Sequence, residues 1–138
     1  MILVDTNILS ELMKPEPSVR IIEWMDSVKS LELGITSVTV AEVLYGIAAL
    51  SEGKRKQRLL EAARAMFDED FNGRIFTFDK QAAVEYADIV IRREKRGRPI
   101  SMPDAQIAAI CASGNFKLAT RNTKDFEETE IELINPFD

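Results

Sequence analysis

The chain has 138 residues, with 18 Lys+Arg, 23 Asp+Glu, one cysteine, no histidine and a net charge of −5. The absence of histidine excludes Ser-His-Asp and Cys-His catalysis, an imidazole base and a His-containing zinc site. Cys111 alone excludes an intrachain disulfide or a Cys-rich metal cluster, and the acidic balance speaks mildly against nucleic acid as a partner.

In chain order, Ile2-Leu3-Val4 reads as a short buried strand that ends at the turn and capping residues Asp5-Thr6-Asn7. A short helix follows through Ile8, Leu9 and Leu12 and stops at Lys14-Pro15-Glu16-Pro17. Ser18 to about Ser27 reads as a second helix, with Val19, Ile22 and Met25 inward. Leu31 to Ile35 is the next strand. After Thr36-Ser37 comes a strong helical pattern with Val40, Val43, Leu44, Ile47 and Ala48 on one face. Gly53 breaks it, and a helix basic at its start runs from Lys54 to about Phe67. Ile75 to Phe78 is a strand bounded by Gly73 and Asp79. A long helix follows from about Lys80 to Arg96, with Ala83, Tyr86, Ala87 and Val90 inward and Gly97 as its stop. Ser101-Met102-Pro103 opens a helix ending near Gly114. Lys117 to Thr120 and Ile131 to Ile134 are the last strands.

This alternation predicts one α/β domain over residues 1–138, with a mainly parallel sheet of about five strands and helices on both faces. The 46% hydrophobic and 30% charged fractions suit a globular domain. The apolar runs fall well short of the ~20 residues that span a bilayer. The N-terminus has no basic region or cleavage site of a signal peptide. No membrane association is expected, and the cytoplasm is the expected compartment.

In such sheets the functional crevice lies outside the carboxyl ends of the strands. Four acids fall where they can reach it. Asp5 ends the first strand, Glu42 lies in the helix after the second, Asp104 lies in the first turn of the helix opened by Ser101, and Asp125 follows the fourth strand. Each also has a plain structural use. Asp5 and Asp125 can cap a helix or turn, and Thr39-x-x-Glu42 and Ser101-x-x-Asp104 both resemble capping boxes. Glu42 is the hardest to dismiss, because Val38 and Tyr45 flank it and a carboxylate in apolar surroundings needs a partner. A metal ion would supply one.

Taken together, the ordered blocks Met1-Ile2-Leu3-Val4-Asp5-Thr6-Asn7, Ser37-x-Thr39-Val40-Ala41-Glu42-x-x-x-Gly46, Pro103-Asp104-Ala105-x-Ile107-Ala108-Ala109 and Ala119-Thr120-Arg121-Asn122-x-x-Asp125-Phe126 resemble PIN-domain proteins of the VapC and FitB toxin type. The resemblance covers essentially the whole chain. It implies a metal-dependent ribonuclease acting on structured RNA such as tRNA or rRNA. Asp5, Glu42 and Asp104 would be the catalytic, metal-binding core and Asp125 the fourth acid, with Thr6, Asn7, Thr120 and Asn122 as auxiliary residues. Some relatives carry Asp at the position of Asn122. Hard oxygen ligands suit one or two Mg²⁺ or Mn²⁺ ions, which would provide the activated water that a chain without histidine lacks. The family also implies a cognate VapB/FitA-type antitoxin, whose tail docks near the site and can carry an Arg that pairs with the acids. Homodimers, and complexes with operator DNA, are implied as well. Trp24, Leu44, Tyr45, Leu59 and Leu60 are candidates for the dimer surface, with core packing as their ordinary alternative.

Half of the cationic residues lie in two short windows: Lys54, Arg55, Lys56 and Arg58, and then Arg92, Arg93, Lys95, Arg96 and Arg98. Beside a nuclease site these become candidates for RNA phosphates, as does Arg121 in the site loop. The second window equally suits the C-terminus of a helix, where cations complement the dipole. Two other readings stay open: a phosphoryl-handling protein of the receiver or haloacid-dehalogenase type with Asp5 as acceptor, and a non-catalytic interaction module.

Overall fold

In the computed structural model, which describes residues 1–138, the apolar run Ile2–Val4 forms β1 at the centre of a five-stranded sheet. The chain continues through α1 (Thr6–Leu12), α2 (Val19–Ser27), a 3-10 turn (Ser30–Glu32), β2 (Leu33–Thr36), α3 (Ser37–Ala48) and α4 (Lys54–Ala65). A π turn (Met66–Asp70), β3 (Ile75–Phe76), α5 (Lys80–Lys95), α6 (Met102–Gly114), β4 (Lys117–Ala119), a 3-10 turn (Thr123–Phe126) and β5 (Leu133–Ile134) complete it. The sheet order is β3-β2-β1-β4-β5, with every pair parallel.

Side chains alternate across a strand, so β1 divides its apolar residues between two cores. Val4 joins Ile35, Ala119, Ile8, Leu9, Ile21, Val43 and Ile47 under α1 to α4. Leu3 joins Leu118, Ala82, Ile89, Ile107 and Cys111 under α5 and α6. Both faces of the sheet are therefore covered by helices, which is why the strands read as continuous apolar runs. Gly34, opposite Leu3, is a point of close approach. A Cβ there would sit 2.9 Å from the Phe76 ring and 3.0 Å from Leu3 Cδ2.

The helix starts have local causes. The Asp5, Thr36, Asp79 and Ser101 side chains each accept a first-turn N–H of α1, α3, α5 and α6. The cap of α3 is thus Thr36, whose hydroxyl accepts from Thr39 N; Thr39-x-x-Glu42 is not a capping box. Glu42 lies nearly two turns in and is free for other use.

Three expectations need correction. The second strand begins at Leu33, because Ser30–Glu32 forms a 3-10 turn that leaves Leu31 75% exposed. In α2 the inward residue is Ile21, with Trp24 and Met25 beside it, while Val19 and Ile22 are exposed. One residue of shift turns a helix by 100°, and a short apolar-rich helix leaves that choice ambiguous. In α5 the buried line is Ala82, Ile89 and Arg93, with Tyr86 against the same core, whereas Ala83 and Ala87 are exposed. A buried arginine at the end of that line hides it from any apolar count. No helix is long and apolar enough to cross a membrane.

Candidate active site

β1 delivers Asp5 to the carboxyl edge of the sheet, where Asp5 N donates to Ala119 O at 2.9 Å. The carboxylate is 5% exposed. Its Oδ2 accepts from Thr120 Oγ1 (2.8 Å) and Asn7 Nδ2 (3.1 Å), and its Oδ1 from Thr6 N (2.8 Å). Burial pushes its pKa above the ordinary carboxylate value, the Thr120 and Thr6 bonds oppose this, and the charge of Glu42 adds to the rise.

Glu42 is half-buried on α3 and faces α1. Its Oε1 accepts from Thr6 Oγ1 at 2.7 Å, and that hydroxyl also lies 3.3 Å from Thr39 Oγ1. Thr39 in turn is tied to Thr36. A column of threonine hydroxyls thus joins the end of β2 to Glu42, and the backbone N–H of its last member, Thr6, donates to Asp5. Thr36 and Thr39 were missed as supporting residues in the sequence, although Thr36-x-x-Thr39 carries the spacing of a cap and its third helical residue.

Asp104 stands in the first turn of α6, where its backbone N–H donates to Ser101 Oγ. Burial raises its pKa to about 6; the Ser101 hydroxyl opposes this, and the charges of Asp5, Asp125 and Glu42 add to it. All four acids therefore act on one neighbourhood. Asp125 is exposed on the 3-10 turn after β4. Asn122 starts that turn: its N–H donates to Thr120 Oγ1 and its carbonyl accepts from Asp125 N. No lysine or arginine pairs with any of the four acids. No three of them converge closely enough to share an ion as they stand. The donor set is nevertheless that of a hard cation: uncompensated carboxylates oriented by hydroxyls and an amide, among them Glu42 in the first half of α3 and Asp104 in the first turn of α6.

The two basic windows have different surroundings. Arg55 and Arg58 line a groove of about 510 Å³ between α1, α3 and α4, floored by Val43, Ile47 and Leu59 and reaching Glu42. Lys54 is exposed at the start of α4, and Lys56 is bound to Ala48 O and Glu52. In the second window Arg93 is 4% exposed. Its guanidinium donates to the carbonyls of Arg98, Asp125 and Glu127 at 2.7, 2.8 and 3.0 Å. Arg92, Arg96 and Arg98 pair with Glu130, Glu128 and Glu127. Buried, with Nε and Nη1 both bonded to carbonyls, Arg93 is turned to the protein, and this window clasps the loop that carries Asp125. The acids that balance it, Glu127 to Glu132, are also a dense run in the sequence, and the pairing of the two runs was the missed signal. Of the proposed dimer residues, Trp24, Leu44, Leu59 and Leu60 pack against the first core, and Tyr45 is 77% exposed.

Residues 2–132 match the sequence model of the PIN domain. A VapC ribonuclease of Sinorhizobium fredii is 35% identical over 138 residues, covering 100% of this chain and 99% of its own. The toxin FitB of Neisseria gonorrhoeae is 36% identical over 137 residues, 99% of each chain. Among solved structures, FitAcB from Neisseria gonorrhoeae superposes with a TM-score of 0.93 at 36% identity over 99% of both chains. FitAB bound to an IR36 DNA fragment gives 0.94 at 36% identity, over 100% of this chain and 96% of that one.

Proposed function

Because the chain belongs to the PIN-domain family, we propose that it is a metal-dependent endoribonuclease and the toxin of a toxin–antitoxin pair. The observation that carries this is the set of four carboxylates gathered from four separate segments with no basic partner, among which Asp104 is raised to about 6. Carboxylates held near one another without a basic partner favour the binding of a cation or a proton.

In this reading Asp5, Glu42 and Asp104 hold Mg²⁺ or Mn²⁺, with Asp125 as the fourth acid and the Asn122 carbonyl as an auxiliary donor. A bound ion would supply the water activation and charge neutralisation that a chain without histidine needs for phosphodiester hydrolysis. The chain's own residues do the rest. Thr6 fixes Glu42 and, through its N–H, Asp5; Asn7 and Thr120 fix the other Asp5 oxygen. Burial and two engaged oxygens favour Asp5 as a ligand over a phospho-acceptor. Arg55 and Arg58 line the groove that reaches Glu42 and would meet backbone phosphates of a structured RNA such as tRNA or rRNA.

The same groove suits the tail of a FitA/VapB-type antitoxin, with which this chain, as a homodimer, would bind operator DNA. Residues 1–138 act as one catalytic domain, and the cytoplasm, where both partners arise, is its compartment. The test is cleavage of end-labelled tRNA and rRNA by the purified chain. Activity should require Mg²⁺ or Mn²⁺, stop with EDTA and vanish in Asp104→Asn. Metal-independent cleavage, or cleavage that survives Asp104→Asn, would sink the mechanism.

A further inference from the structure

A second buried acid, Glu11 on α1, lies outside the carboxylate cluster and is 7% exposed. Its Oε1 accepts from Lys14 Nζ (3.0 Å) and its Oε2 from Ser18 N (3.0 Å), which closes the turn between α1 and α2. Arg121 Nη2 lies 3.7 Å from the same Oε1. The Arg121 guanidinium is also stacked, with its carbon 3.6 Å from the centre of the Phe137 ring, while the side chain stays half exposed. Its backbone is fixed as well: Arg121 N donates to Asn7 Oδ1 at 3.1 Å, and Asn7 in turn contacts Asp5 and Thr120.

The flexible part of Arg121 is therefore immobilised on two sides, and its main chain is bound to the residues that orient Asp5. The contact with Glu11 is longer than a hydrogen bond and the guanidinium is half exposed, so the ion pair by itself contributes little. A planar, stacked guanidinium with free N–H edges is, however, a prepared phosphate site. Arg121 pairs with Glu11 and with none of the four acids. The cation thus sits at the flank of the cluster and not within it.

We propose that Arg121 binds a phosphate of the RNA strand flanking the one that is cut, and that Glu11 and Phe137 are positioning residues that hold its guanidinium there. This rests on the nuclease reading, so its test separates binding from cleavage. In an Asp5→Asn background, affinity for a fluorescein-labelled single-stranded RNA is measured by anisotropy across a KCl series. Arg121→Ala should loosen binding about tenfold and lower the salt slope by about 0.7. Arg121→Lys should fall near Arg121→Ala, because it keeps the charge but loses the flat fork. Glu11→Gln and Phe137→Leu should each loosen binding by a smaller factor and add nothing to Arg121→Ala.

A merely structural role gives the opposite pattern: losses that add to Arg121→Ala, with lowered thermal midpoints. That result, or unchanged binding by Arg121→Ala, overturns the proposal. If Glu11→Gln does not fold, Phe137→Leu tests the same guanidinium from its other face. Cleavage by the unmutated chain is scored separately. Failure to cleave with binding intact counts against the nuclease reading alone, and in an active chain the same variants should raise KM by more than they lower kcat.

Discussion

Asp104 is where the electrostatic cost of the site is concentrated. Its folded pKa of about 6 lies above its ordinary value, so the folded state binds the extra proton and metal-free stability is greatest below pH 4 on this account. It is lost as pH rises through 6, because the charged form is the one that burial and the three neighbouring carboxylates disfavour. In EDTA the thermal midpoint should therefore fall between about pH 4 and 6 and level off above that, and Asp104→Asn should flatten the fall; a midpoint that rises over this interval would contradict it. Asp5→Asn and Glu42→Gln should each remove at least ~10²-fold of cleavage while the circular dichroism stays native. Thr6→Val deletes the hydroxyl that fixes Glu42 and should weaken Mn²⁺ binding about tenfold, measured by calorimetry.

At the scale of elements, α5 is the helix whose role the sequence hid. Arg93 ends its buried face and crosses to the carbonyls of Asp125 and Glu127, so α5 fixes the loop that bears the fourth acid. Arg93→Met would take the donor from three carbonyls of this part-buried contact and should cost about 1–3 kcal/mol in urea unfolding. Arg96→Ala, which breaks one exposed pair with Glu128, should cost under ~1 kcal/mol. The strand positions, the helix order and the caps at Asp5 and Ser101 were legible because apolar runs, Gly stops and capping residues are local signals. The inward faces of α2 and α5 were not, since they depend on which side of the sheet each helix docks. Asp5 and Asp104 were legible as a strand-end and a helix-start residue, Glu42 as a carboxylate between apolar neighbours, and Asp125 by its place after the fourth strand. Glu11, Thr36 and Thr39 were not, because their importance comes from partners distant in sequence.

For the whole molecule, net charge proved a poor guide to partners. The −5 balance averages a cation-seeking acid cluster, a loop of acids already matched by Arg92, Arg96 and Arg98, and a groove edged by Arg55 and Arg58. Arg55→Ala and Arg58→Ala should each raise KM for RNA and lower the salt dependence of binding, with no change in metal affinity. A loss of metal binding in either variant would argue against a separate phosphate-contacting role.

The central place of β1 also sets the order in which the molecule acquires its activity. The strand is made first, yet one of its two neighbours, β4, comes from residues 117–119, and Asp5 is held by Thr120 across 115 positions of sequence. Contacts of such separation close late, since the whole intervening loop must be paid for in entropy. A nascent chain still on the ribosome, short of β4, lacks both the bond from Thr120 and the loop of Asp125. The protein can thus be synthesised among ribosomal and transfer RNAs while its own cutting centre is incomplete, and translation itself provides the interval in which a co-produced partner can arrive.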